Sequence, residues 1–226
     1  MSQTAVEVGA RVKQILNALP PEVTLVAAAK GRTVKEVEAA LQAGVTHVGH
    51  NYVQEAKPMI QALGDRATWH MIGHLQRNKA KAAVSMFDMI ESVDSLRLAE
   101  TIERHCERLG KTMPVLVEIN SGRESTKTGV LPEEVDDLVS AMTDMKYVRV
   151  MGLMTMGPRF GDPQEARPYF IATREAFDRL STINLPNVTM RYLSMGMTNS
   201  YRVAIEEGAN LVRIGTKIFG PRHEEG

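Results

Sequence analysis

Eight times along this chain a short run rich in Val, Ile, Leu and Met gives way to a longer stretch whose apolar residues recur at helical spacing. That alternation constrains the fold more than any other feature, because strands apolar on both faces need cover on both faces, and a helix after each strand provides it. The strand runs are VTLVAAAK ending at Lys30, VTHVGHN ending at Asn51, ATWHMIG ending at Gly73, FDMIESV ending at Val93 and MPVLVEINSG ending at Gly122. VRVMGLMTMG ending at Gly157, VTMRYLSMG ending at Gly196 and LVRIGTKIFG ending at Gly220 complete the set. Helical patterns such as TVKEVEAALQAG, SLRLAETIERHCERLG, PEEVDDLVSAMTDM and EARPYFIATREAFDRLSTI lie between them, several closed by a glycine suited to a helix C-terminus. Another helix precedes them all: Ala5, Val8, Val12, Ile15, Leu16 and Leu19 share one face until Pro20-Pro21 ends it.

Eight βα units fit a closed (β/α)8 TIM barrel with an additional N-terminal helix. An open doubly wound sheet should carry a glycine-rich fingerprint after its first strand, whereas that turn here is Ala-Ala-Lys-Gly-Arg-Thr. The 226 residues contain no linker, low-complexity tract or charge block, so residues 1–226 are expected to form one domain. Interleaved charges, 27 Lys plus Arg against 27 Asp plus Glu, leave no basic stripe, and nucleic acid is not an expected partner. Cys106 is the only cysteine, which excludes an intrachain disulfide, suits a reducing compartment and points to a packing or surface role on a helix. MSQTAVEVGARVKQ lacks the apolar core of a signal peptide, and no charge-free apolar run is long enough to span a bilayer. A cytoplasmic monomer with no membrane partner is the resulting expectation.

Reactive groups in such a barrel gather where strands end at their C-termini. That filter selects Lys30, Asn51, His74, Glu118 with Asn120, Thr155, Ser194, and the cluster Arg213, Gly215, Thr216. Lys30 follows Leu25-Val26-Ala27-Ala28-Ala29; an apolar rim disfavours its ammonium form, and a neutral amine can form a Schiff base with a carbonyl, although a plain surface lysine also fits the position. The seventh and eighth runs stop in Ser194-Met195-Gly196-Met197-Thr198-Asn199 and Arg213-Ile214-Gly215-Thr216. Loops after those two strands form the recurrent phosphate site of βα barrels, and Ser194 and Thr216 add hydroxyl donors. Thr198 or Asn199 also suits the N-cap of the next helix, and Gly215 also suits simple packing room. Barrel closure brings the first strand beside the last two. A small ligand with both an aldehyde and a phosphate then fits, which suggests pyridoxal 5′-phosphate.

Other features are given plainer roles. His70 and His74 have the spacing of helical metal ligands but lie on a strand run, so no metal is expected. Met151, Met154 and Met156, among 14 methionines, are expected to fill gaps in the core. The stretch from Ser121 to Gly129, with Arg123 and Lys127, is expected to be a solvated loop, within reach of an anion at the barrel mouth.

The segments AAAKGRT, GHNYVQEA, WHMIGHLQRNK, TKTG, LSMGM and RIGTKIFGPR, in this order and over nearly the whole chain, resemble the pyridoxal-phosphate homeostasis proteins, barrel proteins related to the N-terminal domain of alanine racemase. The resemblance implies that Lys30 carries the cofactor as an aldimine and that Asn51 lies beside its ring. It further implies that Ser194, Gly215 and Thr216 hold the phosphate, and that Arg213 approaches the pyridine nitrogen. His50 departs from the Glu of the family's GEN motif, which removes a carboxylate expected near the mouth, and Thr198-Asn199-Ser200 replaces a more frequent Ser-Asp-Asp. The implied role is to hold and release the cofactor for apo-enzymes, with no strong catalytic turnover. A cation beside the ring nitrogen weakens the electron sink, and no tyrosine ends a strand, Tyr52 and Tyr192 coming nearest. An amino-acid racemase of the alanine racemase type needs a second domain bearing a tyrosine, for which the chain is expected to have no room after its last strand. A Schiff-base aldolase needs a carboxylate or second lysine near Lys30, with Glu118 as the candidate.

Overall fold

A computed structural model describes residues 3–158 and 161–221. Its element order is α1 (Gln3–Ala18), β1 (Thr24–Ala28), α2 (Val34–Gln42), β2 (His47–His50), α3 (Val53–Leu63), β3 (Thr68–Met71), α4 (Ala80–Met86), β4 (Met89–Val93) and α5 (Leu96–Leu109). There follow β5 (Met113–Ile119), α6 (Val135–Ala141), β6 (Val148–Thr155), α7 (Arg167–Ser181), β7 (Val188–Ser194), α8 (Tyr201–Glu206), β8 (Leu211–Ile214) and a single turn, α9 (Thr216–Phe219). The strands form one closed barrel in chain order, every pair parallel. β8 returns to β1 with Val26 opposite Arg213 and Ala27 opposite Ile214, and this closure sets Lys30 beside the β8 turn.

The strands are shorter than the apolar runs that announce them. After Ala28, His50, Met71, Ile119, Thr155 and Ser194 the chain leaves the sheet for the barrel mouth. The eighth run divides: its first half is β8, its second half α9, because the N–H groups of Ile218 and Phe219 turn back to the Gly215 carbonyl at 2.9 and 3.0 Å. A continuous apolar run has no period that separates a strand from one helical turn. The patterns above also left α3 and α4 unnamed; α3 carries Pro58 inside it, and α4 has only seven residues.

Side chains alternate across the sheet. Those pointing outward, such as Leu25, Ala27, Val48 and Trp69, join the helices in the main hydrophobic core, which includes Val8, Val12 and Ile15 of the N-terminal helix. Those pointing inward form two small apolar clusters, Val26, Ile72 and Leu211 on one side, Met89, Leu116 and Met154 on the other. Met151 and Met156 pack against the second, as gap-filling methionines do. Tyr192 touches both clusters. Cys106 is buried in α5, where burial pushes its thiol up to about 11, so its role is packing.

The mouth is anchored by local chemistry. Thr33 caps α2 in a reciprocal pair with Glu36: the Thr33 hydroxyl accepts from the Glu36 N–H at 3.3 Å and the Glu36 carboxylate accepts from the Thr33 N–H at 2.8 Å. The neighbouring Arg32 donates to the carbonyls of Gly220 at 2.5 Å and Pro221 at 3.1 Å, which ties the loop carrying Lys30 to the end of α9. Among the described residues no helix is long and apolar enough to cross a membrane.

Candidate functional site

A cavity of about 510 Å³ opens at the C-terminal end of the barrel and is lined by Lys30, Asn51, Arg213, Gly215 and Thr216, with Ile72 and Met156 as apolar walls. Five of the six residues that the resemblance assigns to the cofactor, all but Ser194, therefore share one space. Lys30 reaches it from the turn after β1, its ammonium 3.4 Å from the Tyr52 hydroxyl and 4.8 Å from the centre of that ring. Tyr52, the first residue before α3, is half-exposed beside the amine; the signal for it was its place one residue beyond the β2 run. Asn51 is held close to β3: a Cβ added to Gly73 would lie 2.5 Å from the Asn51 carbonyl oxygen, so only glycine admits this approach.

Across the cavity, Gly215 packs against β1, where an added Cβ would stand 3.1 Å from the Ala28 carbonyl oxygen. Packing room and an open backbone are thus one feature at this position. Gly215 also starts the α9 turn, whose first N–H groups have no partner within the helix. The Thr198 hydroxyl accepts from the Lys217 N–H at 3.4 Å and lines the cavity, while Asn199 donates to the Gly161 carbonyl at 3.0 Å. Neither caps α8; Ser200 holds that position, and its hydroxyl accepts from the Met197 N–H at 3.3 Å.

Ser194 stands apart from the other five. It is fully buried beneath the cavity, its hydroxyl accepting from Arg213 and donating to Glu91 at 2.6 Å. Arg213 also donates to the Thr155 carbonyl at 2.8 Å. Glu91 continues the line inward, where its other oxygen meets His70 Nδ1 at 2.6 Å, and His70 Nε2 meets His47 Nδ1 at 3.0 Å. Burial pushes the Glu91 carboxyl up, but the hydrogen bond and charge of His70, with Arg213 and Ser194, outweigh this and hold it below its ordinary value. Burial and the neighbouring His70 pull His47 down to about 4. These inner residues were missed as site candidates because they sit within strand runs rather than at their ends. A glutamate inside the apolar FDMIESV was the available signal.

The remaining expectations separate. His50 does not face the mouth: it points outward, almost fully buried, stacked on Trp69 with ring centres 6.0 Å apart, and neither ring nitrogen has a hydrogen-bond partner. Burial lowers it to about 4. His70 and His74 do not converge: His70 is buried and pairs with Glu91 at 2.6 Å, whereas His74 is half-exposed and pairs with Asp94 at 3.2 Å. Glu118 points into the barrel, accepts from the Thr128 hydroxyl at 3.0 Å and leaves its second oxygen unpaired; burial raises it. In the loop after β5, Arg123 forms a two-pronged pair with Glu133 and Lys127 pairs with Glu124, so both cations are engaged away from the cavity.

The chain matches the family described as alanine racemase, N-terminal domain, over residues 7–223. It is 42% identical over 180 residues to the pyridoxal phosphate homeostasis protein of Aquifex aeolicus, covering 79% of this chain and 78% of that one. It is 36% identical over 216 residues to the protein of the same name from Synechocystis, covering 92% and 96%. Among solved structures, PipY of Synechococcus elongatus with pyridoxal phosphate bound superposes with a TM-score of 0.86 at 32% identity, over 94% of this chain and all of that one, 100%. An alanine racemase from Clostridium difficile superposes at 0.79 with 17% identity, over 97% of this chain and 56% of that one, a likeness of fold alone. The chain belongs to the pyridoxal phosphate homeostasis protein family, within the alanine racemase N-terminal domain fold.

Proposed function

We propose that this chain binds pyridoxal 5′-phosphate in the barrel mouth, holds it reversibly as an imine on Lys30, and supplies it to apo-enzymes without strong turnover of its own. One observation carries the proposal: an amine, a buried guanidinium and the free backbone turn at Gly215 and Thr216 line the same cavity of about 510 Å³. The donor set suits the cofactor, whose aldehyde, ring nitrogen and phosphate require those three kinds of partner, and the volume suits a small ligand. The cofactor supplies an aldehyde for the imine and an electron-withdrawing ring; the rest belongs to the chain. Lys30 presents the amine, with the Tyr52 hydroxyl as its hydrogen-bond partner. Gly215, Thr216 and Thr198 would hold the phosphate, Ile72 and Met156 would shield the ring from water, and Arg213 would stand at the ring nitrogen.

Weak turnover follows from two features. A cation at the ring nitrogen disfavours its protonation and so weakens the electron sink. Two-base racemisation needs an acid and a base on opposite faces of the substrate, whereas the Tyr52 hydroxyl lies 3.4 Å from the Lys30 amine, one locus rather than two. The test is a titration with pyridoxal phosphate followed by visible absorbance, in wild type and Lys30→Ala, with the loaded protein then given individual L-amino acids in deuterated water. Expected are a Lys30-dependent spectrum and negligible α-proton exchange. Sustained Lys30-dependent exchange at roughly one per second or faster would restore the racemase.

A further inference from the structure

The chain of polar groups from the partly exposed His47 to the buried Arg213 is longer than cofactor binding requires. It draws on five strands: His47 from β2, His70 from β3, Glu91 from β4, Ser194 from β7 and Arg213 from β8. Its contacts are short and continuous, 3.0 Å from His47 to His70, 2.6 Å from His70 to Glu91, and 2.6 Å from Ser194 to Glu91, with Arg213 closing it on the Ser194 hydroxyl. The guanidinium and carboxylate also face each other directly at 3.8 Å, with side chains 2% and 0% exposed.

Three features indicate what the arrangement does. A hydroxyl between a cation and an anion has one orientation, accepting from the first and donating to the second, so Ser194 is locked and Arg213 is locked with it. Glu91 has both oxygens committed on opposite sides and cannot turn away from Arg213 without abandoning His70. Finally, the Thr155 carbonyl holds the other guanidinium nitrogen, leaving Arg213 at the cavity wall with its direction fixed by the barrel. The charged and titratable groups facing this pair are His70 from β3, with His47 behind it, and Glu118 from β5, whose charge also acts on Arg213.

Resting on the cofactor reading above, we propose that Glu91 is the positioning residue of the site: through Ser194 it fixes the direction and balances the charge of Arg213 where the guanidinium meets the cofactor ring, and the His70–His47 pair anchors it to the barrel floor. Glu91 touches neither cofactor nor amine. Its influence is electrostatic and geometric, so its signature is a change in how readily the Lys30 imine holds a proton, which a purely structural residue would leave unmoved.

The experiment compares wild type with Glu91→Gln, Glu91→Asp and Ser194→Ala. Each is loaded with pyridoxal phosphate, its absorbance followed across pH, its dissociation constant measured, its adduct trapped with borohydride, and its fold checked by circular dichroism. Glu91→Gln removes a negative charge and leaves Arg213 unbalanced, so the protonated imine is disfavoured and the pH midpoint falls by about one unit. Cofactor binding weakens about tenfold through misdirection of Arg213. Glu91→Asp restores most of the midpoint, and Ser194→Ala moves it in the same direction by less. Should Glu91→Gln fail to fold, Ser194→Ala carries the test, because it keeps the carboxylate and breaks only its link to Arg213. A folded Glu91→Gln or Ser194→Ala with wild-type midpoint and affinity overturns the proposal while leaving the Lys30 assignment standing. Absence of a Lys30 adduct in wild type overturns the cofactor reading itself, and this proposal with it.

Discussion

Strand β2 carries two histidines three residues apart, His47 partly exposed and His50 buried, and they face opposite sides of the sheet with opposite outcomes. His47 points into the barrel and meets His70 at 3.0 Å, the first step of a line that ends on Arg213. His50 points out against Trp69, and both its nitrogens lack partners. Inside, His47, His70, Glu91, Ser194 and Arg213 come from five strands and bond to one another. Outside, a single imidazole sits among helix side chains that offer nothing to bond. A closed barrel can bury charge on its axis because alternate residues of every strand point to the same place, whereas the layer between sheet and helices is a dry two-body contact.

The sharpest way to break the contrast is to remove the centre of the inner line. Glu91→Ala leaves Arg213 buried without its anion, and denaturant unfolding should show a loss of about 3–5 kcal/mol; a loss below about 1 kcal/mol would mean the ion pair is not held as described. Acidification probes the outer histidine. His50 and His47 are lowered to about 4, below the ordinary 6.5, so the unfolded chain binds more protons between those values. Stability present above pH 6.5 is therefore lost as pH falls toward 4, by up to about 3 kcal/mol for the more deeply buried His50. His50→Leu should flatten that acid limb, measured as melting temperature against pH; an unchanged limb would place the sensitivity elsewhere.

The two hydroxyls first assigned to phosphate give a finer test. Thr216→Val should weaken pyridoxal phosphate about tenfold while sparing pyridoxal. Ser194→Ala should weaken both ligands alike, because it acts through Arg213. Selective loss of the phosphorylated ligand in Ser194→Ala would return that residue to the phosphate. The smallest effect is expected at the end of the line: His47→Asn should cost less than about 1 kcal/mol, since a half-exposed group can find water instead.

Much of this was legible in the sequence for a physical reason. Barrel strands announce themselves by continuous apolar runs, and the residue that ends each run is placed at the mouth by topology alone, so Lys30, Asn51, Arg213, Gly215 and Thr216 could be gathered without a structure. What joins the inner line is not local: Ser194 and Glu91 lie 103 residues apart, and their pairing depends on the stagger of the closed sheet. The family's GEN motif implies a group near the mouth at position 50, but strand alternation turns His50 outward against Trp69. The run LVRIGTKIFG misled because its second half buries Ile218 and Phe219 as one helical turn, where periodicity has too few residues to register.

The point of attachment of pyridoxal phosphate decides the site assignment most directly. Wild-type protein incubated with pyridoxal phosphate, reduced with borohydride, digested and mapped by mass spectrometry should carry the reduced adduct on Lys30, with none in Lys30→Ala. An adduct on Lys127 or Lys217, or no adduct in wild type, would contradict it.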